Sequence, residues 1–355
     1  MELFNKQYSQ PGTKPGTIAE CNDANFTVSL LDYNKSTIEE YINIELSSCR
    51  IFIENSNVTW IHVQGNPSAQ AMKTLATGLN IHDLHIEDIM NSGQRPKVEF
   101  NEDQIFIILN LPLSHNDQTK VEQVSLFITK NTLISFCSGT FMPFDIVVKR
   151  LRSNVGKIRK LPADYLMYTL IDTTIDYGFP LLEEYAEKIQ VIEDELLDTK
   201  DEAILTRIHA IRREVLLVKR RIWPHRDLIN DILHEEDNVI ISQNTTLHMR
   251  DCYDHAVSIK DTLETYHEMT SGLMELYLTS VSLKLNDVIK FLTIFTTVFI
   301  PPTFIVGVYG MNFDPSISQF NMPELGWKYG YITVLGLMAI SISGTLLFFK
   351  KRKWI

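Results

Sequence analysis

The chain has 355 residues, with 33 Lys and Arg against 44 Asp and Glu, and a formal net charge of −11. Six of the bases and two of the acids lie from Lys290 onward, so residues 1–289 carry 27 bases and 42 acids, a balance of −15. This acidic part offers no basic stripe to pair with phosphates, which disfavours a nucleic-acid partner. The sequence also lacks a Ser-His-Asp arrangement, an HExxH motif and a phosphate loop, so we do not expect an enzyme.

Four widely spaced cysteines, Cys21, Cys49, Cys137 and Cys252, form no CxxC pair. This pattern predicts a reducing compartment and argues against a disulfide framework or a cysteine zinc site. The first twenty residues are polar and lack an apolar core, so no cleavable signal peptide is expected.

Residues 1–160 are predicted to form an α/β domain. Strand-like segments rich in β-branched and aromatic residues begin at Thr27, Val58, Ile105 and Val124, each bounded by turn residues. Residues 68–79 and 144–158 have the pattern of helices. We expect this domain to lie in the cytoplasm.

Residues 161–244 are predicted to be an antiparallel helical region. Pro162 gives a helix start signal, and apolar residues repeat behind it at helical spacing. A second helix is predicted from about residue 200 to 233, with many Arg and Lys residues. These bases resemble a nucleic-acid surface, but a solvated helix face with ion pairs to neighbouring acids is the favoured interpretation.

Residues 245–312 contain no convincing helix stop before Tyr309 and Gly310. A helix of about 65 residues would be on the order of 100 Å long, so only part of it fits in a bilayer. The remainder is predicted to be a cytoplasmic stalk that leads into the membrane.

Two uncharged stretches, residues 291–313 and 329–349, are each long enough to cross a hydrocarbon layer of about 30 Å as a helix. We predict a first span at about 291–311, an extracytoplasmic loop at 313–328 and a second span at 329–349. The basic tail at 350–355 places the C-terminus in the cytoplasm by the positive-inside rule. With two spans, the N-terminus is cytoplasmic too, and the protein is expected in the inner (plasma) membrane.

Polar and small residues in the first span follow one another at spacings of three or four, together with apolar ones, which places them on one helix face. They are Asn286, Ile289, Leu292, Thr296, Ile300, Thr303 and Gly307. This face is either a pore wall or a helix–helix seam, and both patterns use Thr and Gly. Asn286 and Asn312, at its two ends, favour a water-lined path for a cation.

In a pore, the apolar residues Ile289, Leu292 and Ile300 would form a constriction that closes by dewetting. The span has no Asp or Glu, so the ion would keep much of its water, which suits Mg²⁺. One lining helix per chain cannot enclose a pore, so a homo-oligomer is expected. Pro301 and Pro302 remove two backbone donors in mid-span, at either a gating point or a tolerated kink.

The segment from Tyr309 to Asn312, Tyr-Gly-Met-Asn, is followed by Met-Pro-Glu-Leu from Met322 and a basic run that ends in Trp354. These motifs resemble the CorA-type magnesium transporters, whose signature is Gly-Met-Asn. Segments such as Gln-Arg-Pro-Lys from Gln94 and Ile-Trp-Pro from Ile222 extend the resemblance over nearly the whole chain.

The resemblance implies a funnel-shaped homopentamer around one central pore. It implies that Asn312 forms a ring that binds hydrated Mg²⁺ at the outer mouth. Gly310 and Met311 would shape that loop, and Glu324 would add negative potential outside the pore.

The resemblance also implies regulatory Mg²⁺ held between the cytoplasmic domains of neighbouring subunits. The matching acids are Asp88 and Asp251, with Glu87 and Asp172 as further candidates. Facing carboxylates repel one another, and a bound divalent cation would join them; loss of Mg²⁺ would then open the constriction. Without the resemblance, each of these acids would be taken as an ordinary surface charge.

His82 and His85 lie beside these acids, and their spacing suggests a transition-metal site. A structural role for both histidines is the favoured interpretation.

We therefore predict a Mg²⁺ channel, with Co²⁺ and Ni²⁺ as surrogate ions and Mg²⁺ as both substrate and regulatory ligand. A divalent ion gains on the order of 4.6 kcal/mol per 100 mV of membrane potential, so ATP is not required. The alternatives are a ZntB-type zinc transporter, whose motif often differs at the position of Met311, and a membrane-anchored sensor. Ile289, Ile300 and Pro302 depart from familiar members of the family, as does the length of loop 313–321.

Overall fold

The structure is a computed structural model that describes residues 12, 16, 25–53, 56–115, 118–198, 202–235 and 238–355. It divides into two compact units, Met1–Leu273 and Met274–Ile355.

Within the described residues, the first unit contains a seven-stranded sheet of order β2-β1-β3-β7-β6-β5-β4. The strands are β1 (Asn25–Tyr33), β2 (Ile38–Ile42), β3 (Val58–Asn66), β4 (Lys97–Asn101), β5 (Gln104–His115), β6 (Gln118–Ile128) and β7 (Thr132–Cys137). Neighbours are antiparallel except β3 and β7, which are parallel. The four predicted strands are confirmed, and β2, β4 and β7 were not predicted.

Helices cover the sheet. They are α1 (Arg50–Ile53), α2 (Ala69–Leu79), α3 (Asp83–Met90), α4 (Asp145–Arg152), α5 (Ala163–Asp176), α6 (Gly178–Asp198), α7 (Glu202–Ile222) and α8 (Pro224–His234).

Two helix predictions were wrong in extent. The helix predicted at 144–158 ends at Arg152, because Asn154 and Gly156 adopt left-handed backbone conformations. The single helix predicted at 200–233 is two helices, α7 and α8. Pro224 opens α8, since it has no N–H to continue the preceding helix.

The core of the first unit lies on both faces of β5. Phe106 and Ile108 belong to the buried cluster that includes Met72 of α2 and Ile86 of α3. Side chains alternate along a strand, so the equally buried Ile107 points to the opposite face, the side on which α5 contacts β5. A strand buried on both faces reads as a continuous apolar run. The predicted α/β architecture is confirmed.

The long helix α9 (Gln243–Tyr309) begins in the first unit and ends in the second. It runs without a break across Pro301 and Pro302, as the absence of a stop signal predicted. A 3-10 helix (Pro323–Gly326) and α10 (Gly330–Lys351) follow it. Both α9 and α10 contain a window that is long and apolar enough to cross a membrane.

Cys49, Cys137 and Cys252 are buried free thiols. Cys21 lies outside the described residues.

Candidate functional site

The seven residues of the predicted pore face are all exposed on α9. Of the half-buried residues on the same part of α9, Thr293 adjoins the pore face, and another set lies away from it: Ile294, Val298, Pro301, Pro302, Ile305 and Tyr309. Successive residues of an α-helix turn by about 100°, which places the two sets on opposite sides of the helix. The rest of the second unit therefore leaves the predicted pore face, the polar face of α9, uncovered, along with other exposed residues of the helix.

Two threonine hydroxyls on this face donate to the backbone one turn earlier. Thr296 Oγ1 lies 2.8 Å from the carbonyl oxygen of Leu292, and Thr303 Oγ1 lies 2.7 Å from that of Phe299. With the proton engaged, the oxygen lone pairs are left as acceptors. Water bound to a cation presents its hydrogens outward, so such a surface suits a hydrated cation.

The end of α9 positions the Gly-Met-Asn segment. The Gly310 N–H donates to the Val306 carbonyl at 2.8 Å, and the Met311 N–H donates to the Val308 carbonyl at 3.2 Å. A Cβ at Gly310 would lie 3.1 Å from the Val306 oxygen, a closer approach than side chains normally make. Asn312 follows directly, with an exposed side chain.

The loop after Asn312 is folded around Asp314, to which sequence reasoning gave no role. The Ser316 N–H and hydroxyl donate to Asp314 Oδ1 at 2.8 and 2.7 Å, and the Asn321 side-chain amide donates to the Asp314 carbonyl at 2.8 Å. The hydrogen bonds from Ser316 hold the pKa of the Asp314 carboxyl below its usual range. A second carboxylate thus lies in the same loop as Glu324.

Glu324 is half-buried in the 3-10 helix, and its backbone is fixed against the start of α10. The Trp327 N–H donates to the Glu324 carbonyl at 3.1 Å. A Cβ at Gly330 would lie 2.3 Å from the same carbonyl oxygen, so only glycine fits there without a shift.

Two of the predicted regulatory acids, Glu87 and Asp88, lie on α3. Glu87 Oε2 accepts from the Gly16 N–H at 2.7 Å. Asp88 Oδ2 lies 2.7 Å from Lys97 Nζ, and the Asp88 carbonyl accepts from the Gln123 side chain at 2.8 Å.

The strand register explains why Lys97 reaches α3. Lys97 and Glu99 of β4 pair with Ile108 and Phe106 of β5, the two β5 residues that belong to the α2–α3 cluster. Residues two apart on a strand share a face, so both charged side chains project toward α3. There Lys97 Nζ contacts Glu99 Oε1 at 2.5 Å as well as Asp88.

The two neighbouring histidines have structural roles, as the favoured interpretation predicted. His82 caps α3, where its Nδ1 accepts from the Leu84 N–H at 3.2 Å. His85 is buried, stacks on Phe106 with ring centroids 4.3 Å apart, and lies 2.9 Å from Glu99 through Nε2.

The other two predicted acids, Asp172 on α5 and Asp251 on α9, belong to a second cluster with Asp176 and His255. His255 Nδ1 lies 3.1 Å from Asp176 Oδ1 and 3.9 Å from Asp172 Oδ1. Burial, and then the charge of Asp176, raise the pKa of Asp172 from 3.8 to about 6; Asp251 contributes in the same direction and His255 opposes. The charges of Asp176 and Asp251 thus add to burial in opposing the ionisation of Asp172.

Sequence reasoning missed Asp176 and His255. Each lies four residues after a predicted acid, Asp172 or Asp251, and so shares its helix face. Ligand atoms of Asp172, Asp176 and His255 lie within 4.8 Å of one another. Two carboxylates suit Mg²⁺, and an imidazole adds affinity for Co²⁺ and Ni²⁺.

The chain resembles known transporters over almost its full length. Residues 55–351 match the model of the CorA-like Mg2+ transporter protein family. A relative from Thermotoga maritima, described as a cobalt/magnesium transport protein CorA, is 38% identical over 351 residues, which cover 98% of each chain.

Two solved structures resemble this fold. The complete CorA magnesium transporter from Methanocaldococcus jannaschii matches with a TM-score of 0.78 and 21% identity, over 92% of this chain and 98% of the other. The cytoplasmic domain of ZntB from Vibrio parahaemolyticus matches with a TM-score of 0.58 and 14% identity, over 72% of this chain and 98% of the other. At these identities the likeness concerns the fold alone. The family match and the Thermotoga relative carry the assignment: this chain belongs to the CorA-like Mg2+ transporter family, whose members are transporters and not enzymes.

Proposed function

We propose that this protein carries Mg²⁺ into the cytoplasm as a channel driven by the membrane potential, with Co²⁺ and Ni²⁺ as surrogate ions. The observation that carries the proposal is the polar face of α9, which lies opposite the half-buried side of the helix and leads to Asn312. The relative from Thermotoga maritima, described as a cobalt/magnesium transport protein, supports this choice of ions.

The proposed path has three parts. At the outer mouth, Asn312 binds the hydrated ion in a loop shaped by Gly310 and Met311, and Glu324 adds negative potential. The face from Gly307 down to Asn286 lines the pore, with acceptor oxygens on Thr303 and Thr296. The apolar residues Ile300, Leu292 and Ile289 form the constriction.

Several chains must surround such a path, because each contributes one lining helix. We propose a homopentamer in the inner membrane with both termini in the cytoplasm. Residues 1–160 and 161–244 form its cytoplasmic domain and helical region, and 245–312 its stalk and pore helix. Residues 313–328 form the extracytoplasmic loop, 329–349 the second span, and 350–355 the cytoplasmic tail.

Gating is proposed to use the acids of the first unit. Mg²⁺ bound between neighbouring subunits would join Asp88 and Glu87 of one chain to Asp251 and Asp172 of the next. The raised pKa of Asp172 supports this role, since burial, and then the charge of Asp176, disfavour the ionised carboxylate, which a bound divalent cation would favour. When cytoplasmic Mg²⁺ falls, the repulsion returns and the constriction opens.

The test is Mg²⁺ uptake into proteoliposomes under an inside-negative potential. Asn312→Ala should abolish most of the flux, because the variant removes the amide that receives the ion. Gln319→Ala is the matched control: it removes an exposed amide from the same loop and should leave the flux unchanged.

Two outcomes would contradict the proposal. Zn²⁺ flux coupled to protons, without Mg²⁺ flux, would instead indicate a ZntB-type transporter. Absence of any divalent flux from folded wild-type protein would favour a membrane-anchored sensor.

A further inference from the structure

Lys97 forms an ion pair with Asp88, one of the proposed regulatory acids. We propose that Lys97 is a tethered cation that competes with Mg²⁺ for Asp88, and so sets the Mg²⁺ concentration at which the regulatory site fills. The inference rests on the proposed regulatory function of Asp88 and assigns to that site a residue that tunes it.

The geometry gives Lys97 two carboxylates. Its Nζ lies 2.7 Å from Asp88 Oδ2 and 2.5 Å from Glu99 Oε1. The Lys97 side chain is 36% exposed and that of Asp88 is 21% exposed, so this contact is half-shielded from water. Burial lowers the pKa of Lys97, but hydrogen bonds to the two carboxylates outweigh it and raise the pKa. Lys97 therefore remains charged at neutral pH.

Both partners are held in place independently of Lys97. His85, stacked on Phe106, holds Glu99 through a 2.9 Å contact. The Gln123 side chain donates to the backbone carbonyl of Asp88 and so fixes the part of α3 from which the Asp88 carboxylate projects. Lys97 is thus the flexible member of the group, on a long side chain between two fixed acids.

A divalent cation cannot bind Asp88 beside an ammonium group without strong repulsion. Because Lys97 Nζ lies 2.7 Å from Asp88 Oδ2, a divalent cation held by the same carboxylate would face the positive charge of Lys97 at close range. Binding would therefore be favoured when Lys97 leaves Asp88. Lys97 would then keep its ion pair with Glu99.

This arrangement predicts opposite effects for two substitutions. Lys97→Gln removes the competitor and should lower the half-saturating Mg²⁺ concentration by roughly two- to fivefold, the range expected for a half-exposed ion pair. Glu99→Gln removes the alternative partner of Lys97, so the half-saturating concentration should rise. Lys97→Arg keeps the charge and should remain close to the wild type.

The experiment is limited proteolysis of the purified full-length protein in detergent during a MgCl₂ titration. Arg95→Gln is the matched control, because it removes the same charge two residues away. Arg95 is 75% exposed and lies 3.9 Å from Asp227, its ion-pair partner. The protection midpoint should shift for Lys97→Gln and stay unchanged for Arg95→Gln.

The outcomes separate the two proposals. If wild-type protein gains no protection from Mg²⁺, the proposed regulatory function fails and the inference fails with it. If wild-type protein is protected but Lys97→Gln shifts the midpoint no more than Arg95→Gln, the inference alone is overturned. Should Lys97→Gln unfold, as judged by its apparent Tm, Glu99→Gln still decides: its midpoint should rise above those of the wild type and Lys97→Arg, and an unchanged midpoint would overturn the inference.

Discussion

His225 is a buried imidazole near the start of α8, and it should make the first unit sensitive to acid. Its side chain accepts a hydrogen bond at Nε2 from the Asn110 N–H at 3.0 Å, and only 1% of the residue is exposed. Burial lowers the pKa of His225 from 6.5 to about 3. The imidazole is therefore neutral in the folded protein at any moderate pH.

The sign and size of the effect follow from proton linkage. Because the folded pKa lies below the unfolded value of 6.5, stability is present above pH 6.5 and is lost as the pH falls toward 3. At pH 5 the His225 imidazole is protonated in the unfolded chain and neutral in the folded chain. The unfolded pKa of 6.5 lies about 1.5 units above pH 5, and each unit corresponds to about 1.36 kcal/mol, so the free energy of unfolding falls by about 2 kcal/mol.

The assay compares wild-type protein with His225→Gln by the apparent Tm in detergent and EDTA, followed through the fluorescence of the buried Trp60. Glutamine keeps an oxygen that accepts from Asn110 but does not titrate. Between pH 7 and pH 5 the wild type should lose about 2 kcal/mol more than the variant, or about 4 °C in Tm.

The matched control is His234→Gln, at the exposed end of the same helix. It should keep the acid response of the wild type. An identical fall in Tm for wild type and His225→Gln would refute the reasoning, because it would show that His225 does not titrate differently in the folded and unfolded states.

Further expectations concern the regulatory site and the outer loop. Asp251→Lys should weaken Mg²⁺ protection against proteolysis severalfold, while Asp261→Lys, an exposed acid on the same helix, should not; equal protection in all three proteins would count against the site. Gly330→Ala should lower the free energy of unfolding by about 1–3 kcal/mol, since its Cβ would overlap the Glu324 carbonyl, and it should also lower the Mg²⁺ flux. Gly336→Ala, with no atom within 4 Å of the added Cβ, should do neither, and equal behaviour of the two glycine variants would contradict the contact.

Features that are local in sequence were predictable. The two spans and the continuous α9 follow from uncharged length and from the absence of a stop signal before Tyr309. The strand β4, which was not predicted, is short and polar and is held by its pairing with β5. The sequence around Lys97 has no pattern that indicates this pairing. Likewise β7 pairs in parallel with β3, more than sixty residues earlier in the chain.

In the candidate site, too, features local in sequence were predictable and those that depend on contacts between distant segments were not. The family resemblance selected Asp172 and Asp251, but the cluster that Asp172 forms with Asp176 and His255 depends on the approach of α5 and α9. Helical spacing alone could have suggested Asp176 as a companion of Asp172. It could not have shown that His255, on a different helix, lies within reach of both.

The two adjacent prolines of α9 have a consequence for insertion into lipid. Pro301 and Pro302 have no N–H, so the carbonyls four residues earlier, of Thr297 and Val298, lose their usual helical donors. In hydrocarbon, each such group costs several kcal/mol unless a donor reaches it. A solitary chain surrounded by lipid would bear that cost, whereas a donor from a neighbouring copy would remove it. In the proposed homopentamer, insertion into lipid and assembly would thus depend on the same turn of one helix.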